Sequence, residues 1–257
     1  MDGLNKWKAF LEELADPQFV DVSSLKLKQT LAPGLWDKKM LTPEIGDALY
    51  KIAKEFFETL HLPPNITLDD VTLTGSLATY NWSDLSDVDL HLLIDFTKLE
   101  NRELMEDYFK EKSRNWNNTH KIFIKGYEVE VYVQDSSEPH HANGVYSILN
   151  DRWIKEPSRF RPPIDYETVK KKAAALMEAI DEVYEFYAEK DYRLALKSAE
   201  SLMDRIRKYR RVGLETGGIN SVENLSFKVL RRNDYLQKLS SLKILAYDKL
   251  MSVNVSI

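Results

Sequence analysis

The run Val88–Ile94 constrains the fold of this chain more than any other part of its sequence. It starts as an alternation of apolar and polar residues and ends fully apolar, as Leu92-Leu93-Ile94. Alternation with a period of two is typical of a β-strand, and a continuous apolar stretch is typical of a strand covered on both faces. The run therefore predicts a central strand, and further strands are expected on either side of it.

Two other segments are predicted to contribute strands. Residues 71–74 form a short strand-like run that ends at Gly75-Ser76. Residues 121–132 have the pattern of a hairpin that turns at Lys125-Gly126. A helix is predicted over residues 99–118, between the central strand and the hairpin.

Helical patterns dominate the two ends of the chain. Residues 1–60 have a helical pattern, and the clearest helix there begins at Pro43. A stretch rich in proline leads to three further helical patterns. These cover residues 166–190, about 193–212 and about 222–250. The sequence thus predicts a mixed α/β domain with N-terminal helices over residues 1–160 and a helical domain over residues 161–257.

Composition excludes several kinds of site and partner. The chain has no cysteine, which excludes disulfides and thiolate metal sites and favours a cytoplasmic location. Its net charge of −5 argues against a protein that coats nucleic acid by bulk electrostatics. No apolar run has the length of a membrane span, so a membrane is not an expected partner.

The segment between the first two predicted strands carries groups suited to phosphate and metal chemistry. If a short helix follows Gly75-Ser76, its backbone N–H groups would attract an anion, and Gly75 would let a phosphate approach closely. Asp87 and Asp89 stand two residues apart at the start of the central strand, so both carboxylates point to the same face. Carboxylates this close repel each other unless a cation lies between them, and hard oxygen ligands favour Mg²⁺ or Mn²⁺.

A third carboxylate is expected from the hairpin. Glu128 and Glu130 share one face of its second strand, and valines occupy the other face. If this strand lies beside the central strand, one of the two glutamates joins the aspartates. Three carboxylates of this kind can hold two ions about 3.5–4 Å apart, one activating a nucleophile and the other neutralising a leaving group.

Together these residues resemble the signature of the DNA polymerase β-like nucleotidyltransferase superfamily. That signature contains Gly-Ser, a spacer of about ten residues, Asp-x-Asp and a later acidic residue between apolar ones. The resemblance implies a metal-dependent enzyme that moves a nucleoside monophosphate from a nucleoside triphosphate, such as ATP, to an acceptor hydroxyl and releases pyrophosphate. It implies a fold with a small mixed sheet, followed by a helical domain.

The resemblance also implies roles for particular residues of this chain. Gly75 and Ser76 would bind the triphosphate. Asp87 and Asp89 would bind both metal ions, and Glu130, with Glu128 as the rival, would complete the ion that activates the acceptor. The chain departs from the family pattern in having no glycine midway through the spacer and in having glutamate rather than aspartate as the third acid.

A second segment, residues 221–232, is similar to uncharacterised phage-encoded nucleotidyltransferases. Lys228, Arg231 and Arg232 lie there on a predicted helix. In two-domain members of the superfamily the helical part often closes the nucleotide cleft. The resemblance therefore predicts that these cations contact the triphosphate or the acceptor.

The sequence leaves the acceptor open among a protein, a small molecule and an RNA end. The alternative function is a catalytically inactive relative of the same fold that binds a nucleotide as a sensor or scaffold. That alternative predicts a broken acidic triad, whereas all three acidic positions are filled here.

Overall fold

The computed structural model describes residues 17–140, 142–159 and 163–253, and the chain forms two compact units. We call Ser24–Phe160 the sheet unit. We call Met1–Ser23 together with Arg161–Ile257 the helical unit. The fold class is mixed α/β, as the sequence predicted.

The sheet unit is built on a mixed sheet of six strands in the order β5-β6-β4-β3-β7-β8. Strands β4 and β6 are parallel, and every other neighbouring pair in the sheet is antiparallel. The predicted central strand is confirmed, because β4 lies between β6 and β3. A separate ribbon pairs β1 with β2. The strands are β1 (Trp36–Asp37), β2 (Met40–Leu41), β3 (Asp70–Thr74), β4 (Val88–Ile94), β5 (Phe123–Ile124), β6 (Tyr127–Asp135), β7 (Val145–Ser147) and β8 (Arg152–Lys155).

Two helices, α1 (Pro43–Thr59) and α2 (Arg102–Thr119), share the apolar core with one face of this sheet. Pro43 opens α1, where its fixed φ and missing N–H are tolerated. The register pairs apolar residues of β3, β4 and β6 with one another, so they lie on the same face. These are Val71, Leu73, Val88, Leu90, Leu92, Val129 and Val131, all of them buried. The residues that alternate with them project from the opposite face.

Two parts of the chain differ from the sequence-based expectation. Of residues 1–60, which were predicted to be helical, residues 1–16 lie outside the described residues, and residues 17–42 form turns, a 3₁₀ turn and the β1–β2 ribbon. The expected loop region after residue 139 contains β7 and β8. Tertiary packing explains both, because Trp36 of the ribbon stacks on Trp153 of β8 at 4.8 Å and meets the Tyr146 ring of β7 edge-on at 5.1 Å.

The helical unit contains four helices, α3 to α6, among the residues that the structure describes. Their bounds are α3 (Tyr166–Ala188), α4 (Tyr192–Gly217), α5 (Val222–Arg232) and α6 (Tyr235–Met251). The single helix predicted over residues 222–250 is wrong, because Asp234 takes a left-handed conformation with φ of 59° and separates α5 from α6. The helix predicted over about residues 193–212 continues to Gly217, so Gly213 lies inside α4. A Cβ there would come within 2.4 Å of Glu223 Cβ, so glycine permits the close approach of α5.

Among the described residues, no helix is both long enough and apolar enough to cross a membrane.

Candidate metal centre

Three acidic side chains meet on the polar face of the sheet. In the parallel pair β4–β6, Asp89 lies directly beside Glu130. Asp87 immediately precedes β4 and is two residues from Asp89, so it belongs to the same face. Each of the three offers a carboxylate oxygen, and these oxygens lie within 4.8 Å of one another. All three side chains are partly exposed, so the cluster is accessible from solvent.

The structure separates the two candidate glutamates. Glu128 lies outside the acidic cluster and forms an ion pair with Lys121, at 2.6 Å between the carboxylate oxygen and Nζ. Glu130 is the glutamate that the register brings beside Asp89. The geometry therefore favours Glu130 as the third ligand, and its role in binding a metal stays a prediction.

Gly75 lies directly against the acidic cluster. It follows β3, whose last residue, Thr74, pairs with Asp89. Its φ of +74° is disfavoured for residues with a side chain, and a Cβ would lie 1.7 Å from Asp89 Oδ2. Only glycine fits both the turn and this close approach, so the backbone passes beside the carboxylate.

Ser76 links the two ends of the connection between β3 and β4. Its hydroxyl donates to Ser86 Oγ at 2.8 Å, and Ser86 Oγ also accepts the backbone N–H of Ser83 at 3.0 Å. The residue that follows Ser86 is Asp87. The hydrogen bond between Ser76 and Ser86 thus holds Ser76, which is predicted to bind phosphate, near Asp87 of the acidic cluster.

The short helix expected after Gly75-Ser76 is wrong, because residues 75–78 form turns. The Thr79 N–H and its hydroxyl both donate to the Ser76 carbonyl, at 3.0 and 2.9 Å. The Thr79 hydroxyl then accepts the backbone N–H of Asn81 at 3.1 Å. A side chain that bonds its own backbone in this way competes with helix propagation. The anion site predicted at a helix N-terminus is therefore not formed, and the backbone of residues 75–78 forms a turn instead.

Tyr132 is a residue of the site that the sequence analysis missed. Its hydroxyl donates a hydrogen bond to Glu130 Oε2. Burial, this hydrogen bond and the nearby carboxylates raise the pKa of the phenol, so Tyr132 stays a neutral donor. Its ring lies 5.2 Å from that of His91, whose Nδ1 is 2.9 Å from Gln134 Oε1. Tyr132 follows Glu130 by two residues in a strand, and that spacing is the signal that would have identified it.

The acidic cluster fits a hard divalent cation. Its three donors are carboxylate oxygens, the ligands that Mg²⁺ and Mn²⁺ prefer. Three carboxylates held this close repel one another, and a cation between them would reverse that repulsion. The residues that would hold Mg²⁺ or Mn²⁺ are Asp87, Asp89 and Glu130.

The three cations predicted to contact the nucleotide lie on α5, in the helical unit. Lys228 and Arg232 are four residues apart and therefore share one side of the helix. Arg231, between them in sequence, is exposed. Their contact with a triphosphate or an acceptor stays a prediction.

Comparisons of this chain with protein-family models, with curated proteins and with solved structures found no match, so its function has to be inferred from the geometry of the site.

Proposed function

We propose that the chain is a metal-dependent nucleotidyltransferase of the DNA polymerase β-like type. The observation that carries the proposal is the cluster of Asp87, Asp89 and Glu130 oxygens within 4.8 Å of one another. Gly75 supports it, because its backbone approaches Asp89 as closely as only a glycine can. The arrangement supplies oxygen ligands for a cation, and the backbone of the Gly75-Ser76 turn lies directly beside them.

In the proposed reaction, the oxygen of an acceptor hydroxyl attacks the α-phosphorus of a nucleoside triphosphate. The bond between this phosphorus and the oxygen that bridges to the β-phosphate breaks, and pyrophosphate leaves with the electron pair. The hydroxyl proton passes to the Glu130 carboxylate, which acts as the base. The product is the nucleotidylated acceptor.

The chain contributes mainly by positioning the reactants. Asp87 and Asp89 hold the cation, and the Gly75-Ser76 turn binds the phosphates beside them. Tyr132 keeps the Glu130 carboxylate turned towards the aspartates through its hydrogen bond. Mg²⁺ or Mn²⁺, when bound, would supply charge neutralisation for the departing pyrophosphate and a lowered pKa for the attacking hydroxyl.

The test is transfer of label from α-labelled nucleoside triphosphates. The protein is incubated with each triphosphate, Mg²⁺ or Mn²⁺, and fractions of a cell lysate that separate protein, RNA and small molecules. The Asp87→Asn/Asp89→Asn double variant runs in parallel. Glu128→Gln is the matched control, since Glu128 is on the same face of the same strand but outside the cluster.

We expect label to move with the wild type and with Glu128→Gln, and not with the double variant. The fraction that becomes labelled identifies the acceptor. Triphosphate binding without transfer in any fraction would favour the nucleotide-binding sensor or scaffold instead. Neither binding nor transfer, with circular dichroism showing a folded protein, would contradict the proposal.

A further inference from the structure

A cleft with a volume of about 630 Å³ lies within the helical unit. Residues of α4, α5 and α6 line it, and this volume falls within the range of roughly 300–1,000 Å³ common for small-molecule sites. The lining combines apolar side chains, among them Ile206, Leu214 and Phe227, with three arginines and one carboxylate, that of the exposed Glu215. Neither the proposed transfer reaction nor the acidic cluster uses any of these residues.

The arginines of the cleft come from one side of α4. Arg207, Arg210 and Arg211 are three and four residues apart, so they project from adjacent positions on the helix. Arg207 and Arg211 are exposed, whereas Arg210 is half-buried. The wall formed by α4 therefore carries three positive charges and the one negative charge of Glu215, and the rest of the lining is apolar.

Arg210 is held in place by neutral groups. Its guanidinium stacks over the Phe227 ring at 4.2 Å, and its Nε donates to Asn224 Oδ1 at 3.2 Å. Asn224 is itself fixed, because its Nδ2 donates to the Ile219 carbonyl at 2.7 Å. The guanidinium is thus positioned before any ligand arrives, and this lowers the entropy cost of binding an anion.

The charge of Arg210 is not balanced by a carboxylate of the described residues. No ion pair involves Arg210 or Arg211 in the part of the chain that the structure describes. Arg207 forms a loose pair with Asp204, at 3.5 Å, and both side chains are largely exposed. Burial lowers the pKa of Arg210, and the charge of Arg231 lowers it further. Partial burial of a guanidinium charge costs free energy when no carboxylate pairs with it. An anionic group bound in the cleft would offset that cost.

We propose that this cleft binds a small amphipathic anion, with a carboxylate or phosphate head and an apolar body. The head would bind the guanidinium groups of Arg210 and Arg211, and the body would pack against the apolar lining. The apolar lining argues against an inorganic anion as the ligand, because such an ion would leave those side chains in contact with water. The three arginines argue against a neutral apolar ligand.

The test measures binding of dodecanoate to the intact protein by isothermal titration calorimetry. Dodecyltrimethylammonium has the same apolar body with the opposite charge, and acetate has the head without the body. Dodecyl phosphate shows whether the site prefers a phosphate to a carboxylate. We expect one dodecanoate per chain with a Kd on the order of 10 µM, and binding of acetate and of dodecyltrimethylammonium at least tenfold weaker.

Two variants and a matched control locate the site. Arg211→Gln removes an exposed cation of the cleft, and Arg210→Gln removes the half-buried one. Each should weaken dodecanoate binding by about tenfold, because a charge-assisted hydrogen bond is lost. Lys208→Gln removes an exposed cation of the same helix that does not line the cleft, and it should leave binding unchanged. Thermal melting by circular dichroism confirms that each variant is folded.

Three results would overturn the proposal. One is the absence of saturable dodecanoate binding to the folded protein. The second is equal binding of dodecyltrimethylammonium, which would show that charge does not matter. The third is wild-type affinity in both arginine variants. The Asp87→Asn/Asp89→Asn double variant should bind dodecanoate normally, so this inference stands or fails separately from the transferase activity.

Discussion

Strand β6 carries two carboxylates, Glu130 and Asp135, that lie in opposite electrostatic environments. Asp135, at the last position of the strand, is 1% exposed and lies 2.8 Å from Arg102 Nη1. Its other oxygen accepts the backbone N–H of Ser137 at 3.0 Å. Glu130, five residues earlier, accepts its hydrogen bond from the neutral phenol of Tyr132 and lies beside two further carboxylates.

The difference separates a carboxylate that stabilises the fold from carboxylates that we propose bind a cation. A buried acid is tolerable when a cation and N–H groups of the same chain compensate it, as they do at Asp135. Acidic side chains that are clustered beside a neutral donor repel one another and lower the stability of the metal-free protein. A cation bound between them would restore that stability. Neutralising Glu130 and neutralising Asp135 should therefore have opposite effects on the stability of the metal-free protein.

The largest expected effect is on activity, from Glu130→Gln. Removing the charge should lower the rate of nucleotide transfer by about 10³-fold, the loss typical of a missing group that acts in the transition state. The metal-free variant should be at least as stable as the wild type, because one source of repulsion is gone. Transfer assays and urea unfolding in EDTA measure the two quantities.

Glu128→Gln is the control for this prediction. It removes a carboxylate from the same strand, but one that pairs with Lys121 at the exposed hairpin. Activity within about twofold of wild type is expected, since exposed ion pairs contribute little. If Glu128→Gln proves more damaging to transfer than Glu130→Gln, the assignment of the third ligand is wrong.

The next effect in size comes from Gly75→Ala. The new Cβ would be placed 1.7 Å from Asp89 Oδ2, at a φ that alanine adopts with strain. Displacing a reacting group by about 1 Å costs on the order of 100-fold in rate, so a loss of that size is expected. Gly126→Ala is a matched control, because it also has a positive φ, of 88°, but nothing lies within 4 Å of its Cβ. An equal loss of activity in both variants would point to backbone strain instead of contact with Asp89.

The candidate site could be predicted largely from the sequence because its parts depend on local rules. The period of two in a strand fixes the common face of Asp87 and Asp89. The pairing of Glu130 with Asp89 could only be assumed, because strand order and register depend on contacts between segments that are distant in sequence. Side-chain contacts such as the bond between Tyr132 and Glu130 depend on the same register.

The parts of the fold that the sequence did not predict are those in which tertiary contacts override local patterns. Strands β7 and β8 are short, and their place in the sheet depends on aromatic packing with the distant Trp36. The turn after Ser76 replaces a helix because Thr79 bonds back to the Ser76 carbonyl. The break at Asp234 carries no proline or glycine, the residues that most clearly mark such a break in a sequence.

At the last residue of β6, Asp135→Asn should destabilise the protein while leaving the acidic cluster intact. We expect a loss of about 2 kcal/mol in the free energy of unfolding, below the ~3–5 kcal/mol of fully buried ion pairs. The cost is smaller here because the side chain of Arg102 is 47% exposed and stays hydrated. Urea unfolding at pH 7 measures the loss, and an unchanged stability would contradict the role assigned to this pair.

The stability difference between wild type and Asp135→Asn should depend on pH. Burial alone would raise the pKa of Asp135, but the hydrogen bonds from Ser137 and Phe96 and the charge of Arg102 lower it overall. A carboxylate with a lowered pKa in the folded state stabilises the fold above its unfolded pKa of about 3.9. This contribution disappears as the pH falls through the folded-state pKa. The stability difference between wild type and Asp135→Asn should therefore be constant above about pH 5 and shrink below about pH 4.

The smallest effect is expected from Tyr132→Phe, which removes only the hydroxyl that donates to Glu130. The ring that lies beside His91 is kept, so the fold and its melting temperature should change little. Without the hydrogen bond, the Glu130 carboxylate can rotate away from the aspartates. Partners that orient a metal ligand typically contribute about tenfold or more to metal affinity, so Mn²⁺ binding should weaken by about tenfold. Electron paramagnetic resonance of free Mn²⁺ measures that affinity directly. Wild-type Mn²⁺ affinity in a folded Tyr132→Phe variant would show that the Tyr132 hydroxyl is not what holds the Glu130 carboxylate in place. The contrast between Glu130 and the Asp135–Arg102 pair would then rest on the acidic cluster alone.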